Sequence, residues 1–298
     1  RDRMGIKPLF VARTQSAVVF SSDINSIIRS GKVSVSLNHS AASNYFKYRF
    51  GALETDTFFK EIECLLPGQT MTIDISSLET TIGQFHDFMA LTDDNPYSGT
   101  EDELVDELDK RLRASVSKRL MSDVPLGTLL SSGIDSTLLT ALANDINPTK
   151  VDAFTIGYAE KGYDESLQAK ESADHLGIKW HRHLVSNEEY TDLVAPGIVK
   201  NEAPIAHPNS LAVHLITDLA KSNGYKVLLS GEGADELFAG YGRTVDLDLL
   251  SSIARKYPKP LLKLLIGLGI KFNTRERRIL ASLLKGDGAS LLSEYFSV

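Results

Sequence analysis

The spacing of hydrophobic positions changes character near residue 100. Before it, apolar residues come in short runs broken by turn formers, at 9–12, 17–20, 70–75 and 82–88. This patterning predicts β-strands, with a few short helical pieces such as 40–50. The first two runs, separated by Arg13, Thr14, Gln15 and Ser16, predict a hairpin in a mostly antiparallel layer. Residues 91–99 have no periodicity and are dense in turn formers, so a domain boundary is expected there, dividing the chain into 1–95 and 96–298.

Thr100 followed by Glu103 is a capping-box signature, and Leu104, Leu108, Leu112, Val116 and Leu120 then fall on one helical stripe. A long helix is expected to open the second part. After it, short β-like runs at 127–130, 151–156, 180–185 and 226–229 alternate with helical stretches at 136–143, 165–176, 188–200 and 211–223. That alternation predicts an α/β domain with a parallel sheet, in which ligands bind beyond the carboxyl ends of the strands. Beyond Arg243 the pattern is Leu-rich and helical. The run Arg275-Glu276-Arg277-Arg278 includes an acid and reads as a solvated helix face.

Composition narrows the function classes. Of 298 residues, 42% are hydrophobic and 24% charged, as in globular proteins, and at roughly 150 residues per domain the length suits two domains. With 32 Lys plus Arg against 39 Asp plus Glu, the formal charge of -7 argues against nucleic acid as a partner. The longest apolar stretch, 261–270, is interrupted by Lys263 and is too short to cross a bilayer, so no membrane partner is expected. The single cysteine, Cys64, excludes an intrachain disulfide and a Cys-based zinc site; it suits a cytoplasmic location and is expected in a core. The chain opens on Arg1-Asp2-Arg3 with neither a signal peptide nor an initiator methionine, and reads as entered midway.

The first segment that carries chemistry is a buried strand running into Leu130, Ser131, Ser132, Gly133, Ile134, Asp135 and Ser136, at the start of a helix. Small side chains let backbone amides approach an anion, and the helix N-terminus adds partial positive charge. Neither the Walker A lysine nor the G-x-G-x-x-G turn is present. The second segment follows another apolar strand and combines Ser230, Gly231 and Gly233 with the carboxylates Glu232, Asp235 and Glu236. Like charges this close are costly without a cation or a shared proton. His181 and His183 alternate on one strand face, but no third ligand accompanies them, so they are read as ordinary strand residues rather than a metal site.

The first segment resembles the pyrophosphate loop of ATP pyrophosphatases, Ser-Gly-Gly-x-Asp-Ser, with Ser132 where that loop usually has glycine. Its hydroxyl narrows the space and can donate a hydrogen bond. Both segments in order, with landmarks at 1–9, 20–23, 66–68, 121–125, 154–157 and 206–209, resemble the glutamine-dependent asparagine synthetase family over residues 1 to about 243. The resemblance implies a parallel-sheet ATP pyrophosphatase domain, adenine nucleotide alpha hydrolase-like, preceded by the β-rich C-terminal part of an Ntn-type glutaminase domain.

It also implies roles. Ser131, Ser132, Gly133, Asp135 and Ser136 would bind pyrophosphate; Leu130, Ile156, Ser230 and Gly231 would contact the AMP portion. Asp135 and Asp235 match magnesium-binding acids, and Glu232 matches a glutamate that handles a proton when ammonia attacks. ATP, Mg2+, aspartate or a similar carboxylate, and ammonia or glutamine are the implied small molecules, and a homodimer is compatible with the family. The implied reaction is amidation of aspartate through an acyl-adenylate. Alternatives are amidation of a sugar acid, closure of a β-lactam, or a nucleotide-binding fragment without turnover; an RNA thiolase is disfavoured by the charge and the single cysteine. The family's N-terminal nucleophilic cysteine and its C-terminal acidic and basic motif do not occur in this stretch, so it is expected not to hydrolyse glutamine and to hold an incomplete synthetase pocket. Asn201-Glu202-Ala203-Pro204 and His207 depart from the family pattern, a difference read as loop packing.

Overall fold

The computed structural model describes residues 1–48, 55–87, 97–160, 162, 164–207, 209–242 and 260. Arg1–Leu229 form one compact unit and Ser230–Val298 a second. The expected boundary at 91–99 lies largely outside the described residues, as does the Leu-rich tail apart from Pro260, and the Arg275 to Arg278 run lies wholly outside them.

The first unit opens with the expected hairpin, β1 (Phe10–Arg13) and β2 (Val18–Ser21), closed where Thr14 and Ala17 bond across the turn. A strand that hydrophobic patterning missed, β3 (Ile62–Cys64), pairs antiparallel with the other edge of β1, so the sheet order is β2-β1-β3. Three residues give too short a run to register as alternation, and long-range pairing decides the strand. Helix α1 (Ile24–Arg29) covers this sheet, burying Ile24 and Ile27 against Ala12, Val33 and Ile62. The next helix, α2 (His39–Tyr48), overlaps the run 40–50 expected to be helical. Among the described residues, strands β4 (Gln69–Ile73) and β5 (Thr80–Gln84) pair only with each other, so the antiparallel part is two small sheets there rather than one layer. Cys64 is only half-buried, at the end of β3, and its Sγ accepts from Nη1 of Arg1 at 3.0 Å. The core position expected for it is corrected accordingly.

Helix α3 (Glu101–Arg119) starts on the capping box, with Thr100 and Glu103 each accepting the other's amide. Its stripe closes the α/β core toward its C-terminal end, where Val116 packs with Leu126, Leu142, Ala143 and Val151, while Leu104 stays exposed. The sheet is parallel, in the order β8-β7-β6-β9, formed by β6 (Leu126–Leu129), β7 (Asp152–Tyr158), β8 (Trp180–Val185) and β9 (Val227–Leu229). Helices α4 (Ile134–Ile146), α5 (Ser166–Leu176) and α8 (Asn209–Ser222) are the crossovers. The helix expected over 188–200 is two, α6 (Asn187–Asp192) and α7 (Val194–Asn201). Pro196 is the reason: a continuous helix would need its amide at the Asp192 carbonyl, whereas in the first turn of a new helix that amide is not required.

Phe154 is fully buried at the sheet centre, stacked 4.7 Å from the His181 ring and edge-on to Tyr225. No helix among the described residues is long and apolar enough to cross a membrane.

Candidate active site

Strand β6 ends at Leu129, and the loop beyond it is held by its own serines. Leu130 continues the sheet, donating its amide to Phe154 at 2.9 Å, and its carbonyl accepts from the buried Thr155 hydroxyl at 2.7 Å. Its side chain is buried against Ala153, Ala169 and Ala173, so the strand end is a fixed base. Ser131 and Ser136 hydroxyls lie 2.8 Å apart; Ser136 Oγ accepts the Ser131 amide, and Ser131 Oγ accepts the Gly133 amide. Gly133 is the extended N-cap of α4 and supplies no side-chain cap, leaving the first amides of the helix open. Among the described residues nothing accepts from the amides of Ile134, Asp135 and Ser136. An exposed row of amides at a helix start suits an anion.

Ser132, Gly133 and Asp135 are exposed and Ser136 half-buried. The Asp135 carboxylate has no hydrogen-bond or ionic partner among the described residues. Ser132 donates to Oε2 of Glu165 at 2.5 Å. Sequence reasoning did not single out Glu165, because its relevance depends on the β7–α5 connection reaching the β6 loop. Ile156, on β7, is half-buried and packs against the cluster of Phe154, Ile216 and Ala220.

The second acidic segment starts directly after β9, which pairs in register with β6, Thr128 opposite Leu229. Within the second unit, Gly233 has φ +93° and turns the chain into α9 (Ala234–Phe238). A side chain is strained in that conformation, which accounts for the glycine. Glu232 is exposed, 3.4 Å from the Ser230 hydroxyl. Asp235 is half-buried, and Gly240 packs so closely on it that a Cβ at Gly240 would collide with Asp235 Oδ1. The structure thus groups 130–136 in one loop and 230–235 in another segment.

No cluster of three or more His, Cys, Asp or Glu side chains suited to a metal occurs among the described residues. Magnesium does not require one, since one or two carboxylates with substrate phosphates usually hold it. The unpartnered Asp135 carboxylate beside open amides fits that mode. His181 and His183 are engaged separately, with Asp152 at 2.7 Å and Glu189 at 2.8 Å, rather than gathered toward one point. A cavity of about 360 Å³ lies elsewhere, lined by Tyr45, Phe46, Tyr190, Val194, Ile205, Ala206 and Leu211. Its lining contains no carboxylate or cation, unlike the loop.

The comparisons with known proteins fit this arrangement. Residues 107–295 match the asparagine synthase family, and residues 1–85 a glutamine amidotransferase domain. Asparagine synthetase [glutamine-hydrolyzing] 1 of Bacillus subtilis is 32% identical over 245 residues, 81% of this chain and 37% of that protein. Amidase chyE of Penicillium rubens is 29% identical over 272 residues, 87% of this chain and 39% of that protein. The chain therefore spans well under half the length of these relatives. With the family match covering both the serine loop after β6 and the acidic segment after β9, the chain belongs to the asparagine synthase family.

Proposed function

We propose that this chain is the nucleotide-binding part of an enzyme for the ATP-dependent amidation of a carboxylate through an acyl-adenylate, converting aspartate to asparagine with release of AMP and pyrophosphate. The observation that carries the reading is the β6 loop, with open helix amides and an unpartnered acid at Asp135. Residues 96–298 are then the ATP pyrophosphatase domain and 1–95 the C-terminal part of a glutaminase domain, in a cytoplasmic enzyme.

In this reading Ser131, Ser132, Gly133, Asp135 and Ser136 hold the pyrophosphate portion, and Leu130, Ile156, Ser230 and Gly231 border the AMP portion. An acceptor carboxylate oxygen bonds to the α-phosphorus as pyrophosphate departs with the electron pair. Ammonia then adds through its nitrogen to the acyl carbon, and AMP leaves with the oxygen. The added nitrogen must lose a proton, and Glu232 is the base that takes it. Asp135 and Asp235 would hold magnesium, which when bound neutralises charge on phosphate oxygens. The open amides of α4 stabilise the same charge without reorganising.

The similarity to a relative named an amidase supports a second reading in which the acceptor is a carboxylate other than aspartate. Exchange of labelled pyrophosphate into ATP, measured on the full-length enzyme with a panel of carboxylates, tests both. Aspartate-dependent exchange supports the first reading, exchange with another acid alone the second, and none with any acid overturns adenylation.

A further inference from the structure

The hydroxyl of Ser132 is engaged inside the protein, donating to Oε2 of Glu165 at 2.5 Å. Glu165 is the N-cap of α5 but makes no side-chain cap bond to that helix, so its carboxylate is turned to the loop instead. The backbone that carries it is held firmly. Asp164 Oδ1 accepts the Ser166 amide at 3.0 Å, and the Ser166 hydroxyl, 1% exposed, accepts from Arg182 at 3.1 Å. Gly157 leaves room for this packing, since a Cβ there would meet Asp164 Oδ1 at 2.6 Å. A negative charge is thereby fixed beside a loop whose amides favour anions.

We infer that Glu165 is a specificity-determining residue that makes this loop prefer magnesium-complexed polyphosphate over the metal-free anion, with Ser132 as the residue that positions it. The inference rests on the nucleotide reading proposed above. A metal-free triphosphate entering the loop must compete with Glu165 for the Ser132 hydroxyl and lie beside its charge. A magnesium complex carries less negative charge, so the same carboxylate opposes it less. With glycine at 132 the carboxylate would not be pinned to the loop.

The test is the Kd of the full chain for ATP, measured with magnesium and with EDTA, in the wild type, E165Q, S132G and S132T. The wild type should prefer the magnesium form. E165Q should reduce the ratio of the two constants by about fivefold, the size expected of one exposed charge, by tightening metal-free binding. S132G should give an intermediate ratio, and S132T, which restores a hydroxyl, the wild-type ratio. A purely structural role would move both constants together. An unchanged ratio in E165Q overturns the inference and leaves the nucleotide reading intact. Absence of ATP binding in every chain, with or without magnesium, overturns the reading and the inference with it.

Discussion

The carboxylate of Glu202 accepts the amide of Ile24 at 2.6 Å and, through its other oxygen, that of Asn25 at 2.7 Å. Asp23 accepts the amide of Ser26 at 2.7 Å, so two acids 179 positions apart together satisfy the opening amides of α1. Glu202 ends α7 in the left-handed conformation, φ 56°, and three residues later the Ile205 carbonyl accepts from the Tyr45 hydroxyl at 2.9 Å. The stretch at the end of α7 therefore ties α1 and α2 to the α/β part of the chain. Hydrogen bonds to a charged acceptor are each worth about 1.5 to 3 kcal/mol. Glu202→Ala should lower stability by about 2 kcal/mol in urea unfolding, and Glu202→Gln, which keeps one acceptor, by less. A change under about 0.5 kcal/mol for the alanine variant would mean that water replaces the carboxylate freely.

The proposed roles of the two acids predict different defects in the full-length enzyme. Asp135→Asn should weaken ATP–pyrophosphate exchange and amide synthesis together, because both depend on nucleotide held with its metal. Glu232→Gln should lower amide synthesis about 100-fold while leaving exchange within about threefold. Equal loss of both activities in Glu232→Gln would assign the glutamate to adenylation or to the fold.

Gly157, one residue before the end of β7, lies against the Asp164–Ser166 turn. A Cβ there would meet Asp164 Oδ1 at 2.6 Å and the Ser166 hydroxyl at 2.8 Å. Gly157→Ala should destabilise by about 1 to 3 kcal/mol through overpacking, seen as a lower urea midpoint with unchanged slope. Unchanged stability would show that the β7–α5 connection adjusts easily.

Leu78 has φ 60° in the turn between β4 and β5, where its amide bonds back to the Asp74 carbonyl at 2.8 Å. A left-handed leucine costs about 1 to 2 kcal/mol, and glycine returns part of that as unfolded-chain entropy. Leu78→Gly should therefore raise stability by about 0.5 to 1 kcal/mol. A melting temperature that falls instead would mean that the leucine side chain contributes more than its backbone costs.

Burial, and then its hydrogen bond to Asp152, push the Tyr225 hydroxyl from 10.0 up to about 12. The folded pKa lies above the unfolded one, so the protonated tyrosine's contribution is complete below pH 10 and is lost as pH rises toward about 12. Unfolding free energy measured across that window should fall for the wild type and stay flatter for Tyr225→Phe. Parallel curves would show that other groups govern the alkaline limit. Tyrosinate absorbance should show Tyr225 titrating late in the folded chain, together with Tyr158 and Tyr190, whose hydroxyls burial also pushes up.

Much of this organisation is legible in the sequence because it is local. The capping box at Thr100 and Glu103, the alternation of short apolar runs with helical stripes, and the small residues from Ser131 to Ser136 each depend on a few neighbouring positions, so their outcome is set by backbone sterics and periodicity. Even the break at Leu193 has a local cause in Pro196. What only the tertiary structure decided involves partners distant along the chain. The sheet order sets β9 beside β6; β3 becomes a strand because β1 offers it an open edge; β4 and β5 pair apart from that sheet. Arg1 reaches Cys64, Glu202 reaches Ile24, and Glu165 meets Ser132. Hydrogen bonds are short-ranged and directional, so which distant donor finds which acceptor is determined only when packing has fixed the neighbouring elements.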